Sequence, residues 1–178
     1  MASNPNIYLI GPMGAGKTTV GKRIAQLKGM QFLDSDHEIE KRTGVDISFI
    51  FEKEGEEGFR RRESRMIVEL VEQTNTVLAT GGGVVLDPAN RDLLSARGVV
   101  VYLHTPLEQQ LLRTRNNRDR PLLEGSDDLE ATLRALMAER EPLYEQIADV
   151  TVTTGEQPAR RLAHELVERL EAIGTAEI

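Results

Sequence analysis

Gly11-Pro12-Met13-Gly14-Ala15-Gly16-Lys17-Thr18 meets the phosphate-loop pattern G-x-x-x-x-G-K-[ST] at every fixed position. The stretch follows a short apolar run, Ile7-Tyr8-Leu9-Ile10, and leads into a helical pattern that starts at Lys17. Strand, glycine-rich loop and helix in that order are the context the pattern needs. The glycines let the backbone curl so that successive N–H groups face phosphate oxygens with no Cβ in the way. The helix start adds unpaired N–H groups and the positive end of its dipole. Lys17 can reach β- and γ-phosphates, and the Thr18 hydroxyl suits Mg²⁺. The loop therefore predicts a nucleoside triphosphate site.

Beyond it, apolar runs alternate with helical patterns to the end of the chain, the signature of a parallel α/β sheet. Strands are predicted over 7–10, 31–33, 76–79, 99–103 and 150–153. Helices are predicted over 17–28, 59–73, 107–114, 127–147 and 157–173, with a further one opened by Asp87-Pro88. A helical region interrupted by Gly44, Gly55 and Gly58 precedes the 59–73 helix, and Pro142 is expected to kink or divide the 127–147 helix. The result is one three-layer domain over 1–178, with a five-stranded parallel sheet and no linker or repeat.

Composition narrows the function. At 178 residues the chain suits a single domain with a proper core. No apolar run approaches the ~20 residues that span a bilayer, and the start of the chain lacks the basic and apolar regions of a signal peptide. With no cysteine there is neither a disulfide nor a thiolate metal site, which favours the cytoplasm. A net charge of −7 argues against nonspecific binding to nucleic acid or membranes. Aromatic residues at 4%, with no Trp, also argue against base-stacking platforms. Positive charge is instead local, in Arg60-Arg61-Arg62 and in Arg113, Arg115, Arg118 and Arg120.

In open parallel sheets, ligands gather at the carboxyl ends of the strands. That rule selects the loops carrying Asp34-Ser35-Asp36, Gly81-Gly82-Gly83 and the basic run 115–120, beside the phosphate loop itself. Of the two aspartates, one can join a Mg²⁺ shell and the other can take a hydroxyl proton. Helix capping is the competing reading for both. The triple glycine offers N–H groups with no side chains in the way, or is merely a turn. Arg60 and Glu63, three apart on a predicted helix, can form a pair that grips a carboxylate, or a solvated charged face. The basic run, with Arg113 before it, suits a lid that shields a transferring phosphoryl group from water. His37, His104 and His164 share no metal-ligand spacing and are read as ordinary histidines.

The ordered set of stretches resembles the shikimate kinases, P-loop kinases of the nucleoside-monophosphate-kinase fold type. The likeness rests on the phosphate loop through Thr19, Phe32-Leu33-Asp34-Ser35-Asp36 and Ile50-Phe51…Gly55-Glu56…Phe59-Arg60…Glu63. It continues in Thr80-Gly81-Gly82-Gly83, Arg120-Pro121-Leu122-Leu123 and Arg140-x-Pro142-Leu143-Tyr144, and covers nearly the whole chain. It implies transfer of the ATP γ-phosphoryl group to the 3-hydroxyl of shikimate, a step towards chorismate and the aromatic amino acids. ATP would be held by Gly14, Ala15, Gly16, Lys17, Thr18, Thr19, Arg113 and Arg120, with Mg²⁺ at Thr18 and, through water, Asp34. Lys17, Asp36 and Arg120 would be catalytic, Asp36 as the candidate base. Shikimate would meet Asp36, Phe51, Phe59, Arg60, Glu63, Gly81, Gly82, Gly83 and Arg140. Within the domain, a shikimate-binding segment over 35–63 and a lid over 114–126 would be the mobile parts.

The nearest rival is another small-molecule kinase of this fold, acting on gluconate or a nucleotide. A GTPase is disfavoured by the absence of an Asn-Lys-x-Asp motif. A catalytically silent nucleotide-binding regulator is the rival from another class, against which Lys17, Thr18, Asp34, Asp36 and Arg120 all speak. A monomer is expected, since no large apolar face stands out.

Overall fold

The computed structural model describes residues 4–115 and 128–175. Its five strands are β1 (Asn6–Ile10), β2 (Gln31–Asp34), β3 (Thr76–Ala79), β4 (Gly98–His104) and β5 (Val150–Thr153). Between and after them run α1 (Lys17–Lys28), α2 (Ser35–Thr43), α3 (Ile47–Leu70), α4 (Pro88–Arg97), α5 (Leu107–Arg115), α6 (Leu129–Ile147) and α7 (Ala159–Thr175). A 3₁₀ turn, Val84–Leu86, stands between β3 and α4. All strand pairs are parallel, in the order β2-β3-β1-β4-β5. The predicted five-stranded α/β fold is therefore the observed one.

Side chains alternate across β1, and this creates two cores. Tyr8 and Ile10 join Ile39, Ile67, Leu94 and Tyr144, from α2, α3, α4 and α6. Ile7 and Leu9 join Val20, Ile24, Leu162 and Leu166, from α1 and α7. β1 is buried along its whole length, which is why its sequence reads as a continuous apolar run rather than an alternating one. Helix α1 packs close to the sheet at Gly21, where a Cβ would come within 2.7 Å of the Phe32 ring.

Two expectations need adjusting. The helical region is interrupted at two of its three glycines, since Gly44 (φ 73°) ends α2 and a kink at Gly55 (φ 72°, ψ −179°) joins two helical stretches within α3, whereas Gly58 lies in the second stretch without a break. A glycine absorbs that left-handed kink at little steric cost. Helix α6 in turn continues through Pro142, capped at its start by Asp128, whose carboxylate accepts from Ala131 N. Most of the predicted lid, including Arg118 and Arg120, lies outside the described residues, as do Pro121, Leu122 and Leu123.

Candidate active site

The phosphate loop takes the shape its glycines allow. Gly14 (φ 78°) and Gly16 (φ 85°) both adopt left-handed angles that a side chain would strain. The turn closes with Ala15 N donating to Pro12 O, and Gly16 hands the chain to α1. Lys17 Nζ donates to Gly11 O (2.5 Å) and Pro12 O (2.9 Å), so the ammonium lies across the mouth of its own loop. Arg113, reaching over from α5, donates to Gly14 O at 2.7 Å. The loop floors a cleft of about 660 Å³. Gly14, Ala15, Gly16, Lys17, Thr18, Thr19 and Arg113 all line it, together with Asp34, Asp36, Gly81 and Gly82.

Asp34 caps a helix and still has an oxygen to spare for the cleft. One carboxylate oxygen caps α2, accepting from Asp36 N and His37 N. The other accepts from Thr18 Oγ1 at 2.8 Å. A hydroxyl and a carboxylate oxygen thus meet at the start of α1, hard donors of the kind Mg²⁺ prefers. Among the described residues no cluster of three or more His, Cys, Asp or Glu side chains could hold a metal. Mg²⁺ does not need one, since it is usually held by one or two carboxylates plus water and phosphate.

Asp36, on the first turn of α2, points the other way. Its Oδ1 is enclosed and has no hydrogen-bond partner among the described residues. A Cβ on Gly81 would stand 3.0 Å from that atom and 2.8 Å from Glu63 Oε2, so only a glycine leaves room for the two carboxylates. Burial, then the charges of Glu63 and Asp34, push the Asp36 carboxyl up to about 7, against the pull of Lys17 and Arg60. Burial likewise raises Glu63, which is 1% exposed.

Glu63 Oε1 accepts from Arg60 Nη1 at 2.8 Å. The Arg60 guanidinium lies over the Phe59 ring, 5.2 Å from its centroid, and fills the space a Gly83 side chain would take. Phe51 packs against Phe59 with ring centroids 4.8 Å apart and planes tilted by 35°. Arg140, on α6 and only 3% exposed, sends Nη1 to within 3.4 Å of a Cβ placed on Gly82. Phe51, Phe59, Arg60, Glu63, Gly83 and Arg140 are not among the cleft-lining residues; they form a second group behind the glycine turn. Arg60 Nε, Glu63 Oε2 and Arg140 Nε are buried without a hydrogen-bond partner among the described residues. The arginine run divides as its pattern allows: Arg61 pairs with Glu57 and Arg62 with Glu54, both at the surface.

Three contacts were invisible to motif reading. Ser35 Oγ accepts from Gly81 N (3.2 Å), Thr80 Oγ1 donates to Leu9 O (2.8 Å), and Tyr144 Oη donates to Gly82 O (2.5 Å). Together they tether the glycine turn to α2, β1 and α6. His104, read as ordinary, lies 3.3 Å from Glu141 and edge-on to Tyr102. On the α7 side, Thr154 and Gln157 line the cleft, in the loop whose residues had no assigned role.

With this geometry in hand, comparison with known proteins is informative. A sequence model of the family described as Shikimate kinase matches residues 13–171. Shikimate kinase 1 of Enterobacter sp. (strain 638) is 54% identical over 172 residues, spanning 97% of this chain and 99% of that protein. The solved shikimate kinase of Acinetobacter baumannii in complex with shikimate superposes with a TM-score of 0.93 at 51% identity, covering 95% and 94% of the two chains. A gluconokinase from Sinorhizobium meliloti shares the fold at a TM-score of 0.61 and 18% identity, covering 97% and 95%. The P-loop kinase architecture, the paired arginines around a triple glycine and near-complete coverage by such relatives lead to one assignment: this chain belongs to the shikimate kinase family.

Proposed function

We propose that the chain moves the γ-phosphoryl group of ATP to the 3-hydroxyl of shikimate, giving shikimate 3-phosphate and ADP on the route to chorismate and the aromatic amino acids. The observation that carries this reading is the set of buried, partnerless polar atoms around the glycine turn: Asp36 Oδ1, Arg60 Nε, Glu63 Oε2 and Arg140 Nε. Buried groups without partners are costly, and a small anion bearing a carboxylate and several hydroxyls would satisfy them. They stand beside a loop built for phosphates.

In this reading Arg60 and Arg140 bind the carboxylate, with Glu63 holding Arg60 in place. Phe51 and Phe59 form the apolar wall, and glycines 81–83 line the floor. Asp36 accepts the proton of the 3-hydroxyl as that oxygen attacks the γ-phosphorus and the bond to the β-phosphate oxygen breaks, releasing ADP. Gly14, Ala15, Gly16 and Thr19 offer backbone and hydroxyl groups to the phosphates, and Arg113 holds the nucleotide. Lys17 exchanges its loop carbonyls for β- and γ-phosphate oxygens. Arg120 closes from the lid over 114–126, and 35–63 is the shikimate-binding segment of a single domain. Mg²⁺ would be held by Thr18 and, through water, Asp34, where it would supply charge neutralisation for the triphosphate.

The enzyme is proposed to act as a cytoplasmic monomer without nucleic-acid or membrane partners. A net charge of −7 supports the absence of nucleic-acid and anionic-membrane partners, and among the described residues no helix is long and apolar enough to cross a membrane.

The test is a coupled ADP-release assay with Mg-ATP and, in turn, shikimate, gluconate and nucleoside monophosphates, with the product identified by ³¹P NMR. Shikimate alone should support turnover, with the new phosphate on the 3-oxygen. Turnover with gluconate instead would keep the phosphate chemistry and remove the substrate assignment. ATP binding without turnover of any acceptor would favour a regulator.

A further inference from the structure

Gly82 stands between the two groups of site residues. A Cβ there would lie 3.5 Å from Met13 N and 3.6 Å from Gly11 O on the phosphate-loop side, and 3.4 Å from Arg140 Nη1 on the other. Its carbonyl accepts the short hydrogen bond from Tyr144 Oη. A peptide group is planar, so holding the Gly82 oxygen also fixes the direction of the Gly83 N–H.

The phenol is well placed to act as such a hold. Tyr144 is fully buried and stacks on Tyr102, with ring centroids 5.0 Å apart and 28° between planes. It follows Arg140 by four residues on α6, so the two side chains leave the same face of the helix one turn apart. One helix face therefore carries both an arginine beside Gly82 and the phenol bonded to it. Burial pushes Tyr144 up to about 12 against the pull of Arg140, whose guanidinium is a second hydrogen-bond neighbour of the phenol, so the group stays a neutral phenol that donates to Gly82 and can accept from Arg140.

We propose that Tyr144 is a positioning residue for phosphoryl transfer: its bond to the Gly82 carbonyl sets the glycine turn between the phosphate loop and the acceptor pocket. This rests on the shikimate kinase reading above and assigns the residue no contact with either substrate. Its consequence is kinetic. In-line transfer requires the attacking hydroxyl to be held within a fraction of an ångström of its productive position. Loosening the turn should leave nucleotide binding intact while letting the acceptor drift and water compete for the phosphoryl group.

Tyr144→Phe in the full-length enzyme tests this, because phenylalanine keeps the buried ring and the stack. Tyr102→Phe is the control: it removes a phenol from the same stack, but one whose hydroxyl lies beside Glu141 and makes no hydrogen bond to the glycine turn. Steady-state kinetics should be combined with the ratio of ADP released to shikimate 3-phosphate formed. For Tyr144→Phe, kcat should fall about tenfold, the KM for ATP should stay within about twofold, and the ADP-to-product ratio should rise above one. Tyr102→Phe should match the wild type in all three. A Tyr144→Phe enzyme with kcat within about twofold and a ratio of one overturns the proposal. So does one whose activity falls only in step with its thermal stability, since Tyr144 would then be an ordinary core residue. Failure of the wild type to phosphorylate shikimate at all would overturn the functional reading, and this role with it.

Discussion

The two halves of the proposed site are built on different physics. The phosphate half is dominated by one contiguous stretch, Gly11 to Thr18, proposed to work through backbone N–H groups and Lys17, with Arg113 reaching in from α5. The acceptor half is collected from α2, α3, the glycine turn and α6, and its proposed working groups are charges wholly or partly buried: Asp36, Arg60, Glu63 and Arg140. In the first half geometry is set by which residues are glycine, and most partners are close in sequence. In the second, each charge owes its state to the others. Glu63 is held by Arg60, Asp36 is raised by Glu63, and Gly81 keeps a side chain out of the space they share. A backbone site fails when its shape fails. An electrostatic site fails when its balance does, so the two should respond differently to substitution.

The largest effect should come from the phosphate half. Lys17→Ala should lower kcat about 10³-fold, because the charge it brings to the transferring group has no substitute. Shikimate affinity, measured by calorimetric titration, should change little. A large loss of shikimate affinity in that variant would erase the distinction between the halves. Next in size, Arg60→Ala should raise the KM for shikimate about 100-fold and leave that for ATP within about twofold. It also leaves Glu63 buried without its partner, so unfolding experiments should show a loss of about 3 kcal/mol.

The third prediction sharpens the electrostatic side. Asp36 is raised from 3.8 to about 7 in the fold, so the folded state holds its proton more tightly than the unfolded chain does. Its contribution is therefore fully present below about pH 4 and is lost as pH rises through 7. Denaturant titrations of the metal-free enzyme should give a stability at pH 8 that is lower than at pH 5, and Asp36→Asn should remove part of that drop. The variant should gain on the order of 2 kcal/mol at pH 8 while losing turnover. An unchanged pH dependence in Asp36→Asn would show that the carboxyl is not held up by its surroundings. The smallest effect is expected at Arg62→Ala, whose partner Glu54 is at the surface. Its steady-state constants should stay within about twofold of the wild type and its stability within about 0.5 kcal/mol.

The same contrast explains what could be read from the chain before any coordinates. The phosphate loop is legible because its meaning is local: strand, glycines, lysine and helix follow one another. The buried strands are legible because a parallel sheet covered on both faces needs continuous apolar runs such as Val99 to Leu103. Asp34 left a choice between cap and metal shell that sequence cannot make, because the same carboxylate serves α2 with one oxygen and Thr18 with the other. Gly55 is legible as a break, because its positive φ kinks the chain between two helical stretches, while Gly58 looks alike in sequence and lies within the second stretch. Arg140 looks like surface helix by periodicity and was named only through family resemblance. Ser35, Thr80 and Tyr144 had no assigned role, because each acts on a backbone atom far along the chain. No local pattern encodes such a contact.

The most direct test of the two-part account is a pair of titrations on Arg140→Ala, one with shikimate and one with a non-hydrolysable ATP analogue and Mg²⁺. Arg140 is buried in the acceptor half yet stands one glycine away from the phosphate loop, so it probes the boundary itself. The account predicts shikimate binding weakened about 100-fold and nucleotide binding within about threefold of the wild type. Equal weakening of both ligands, or undiminished shikimate binding, would contradict it.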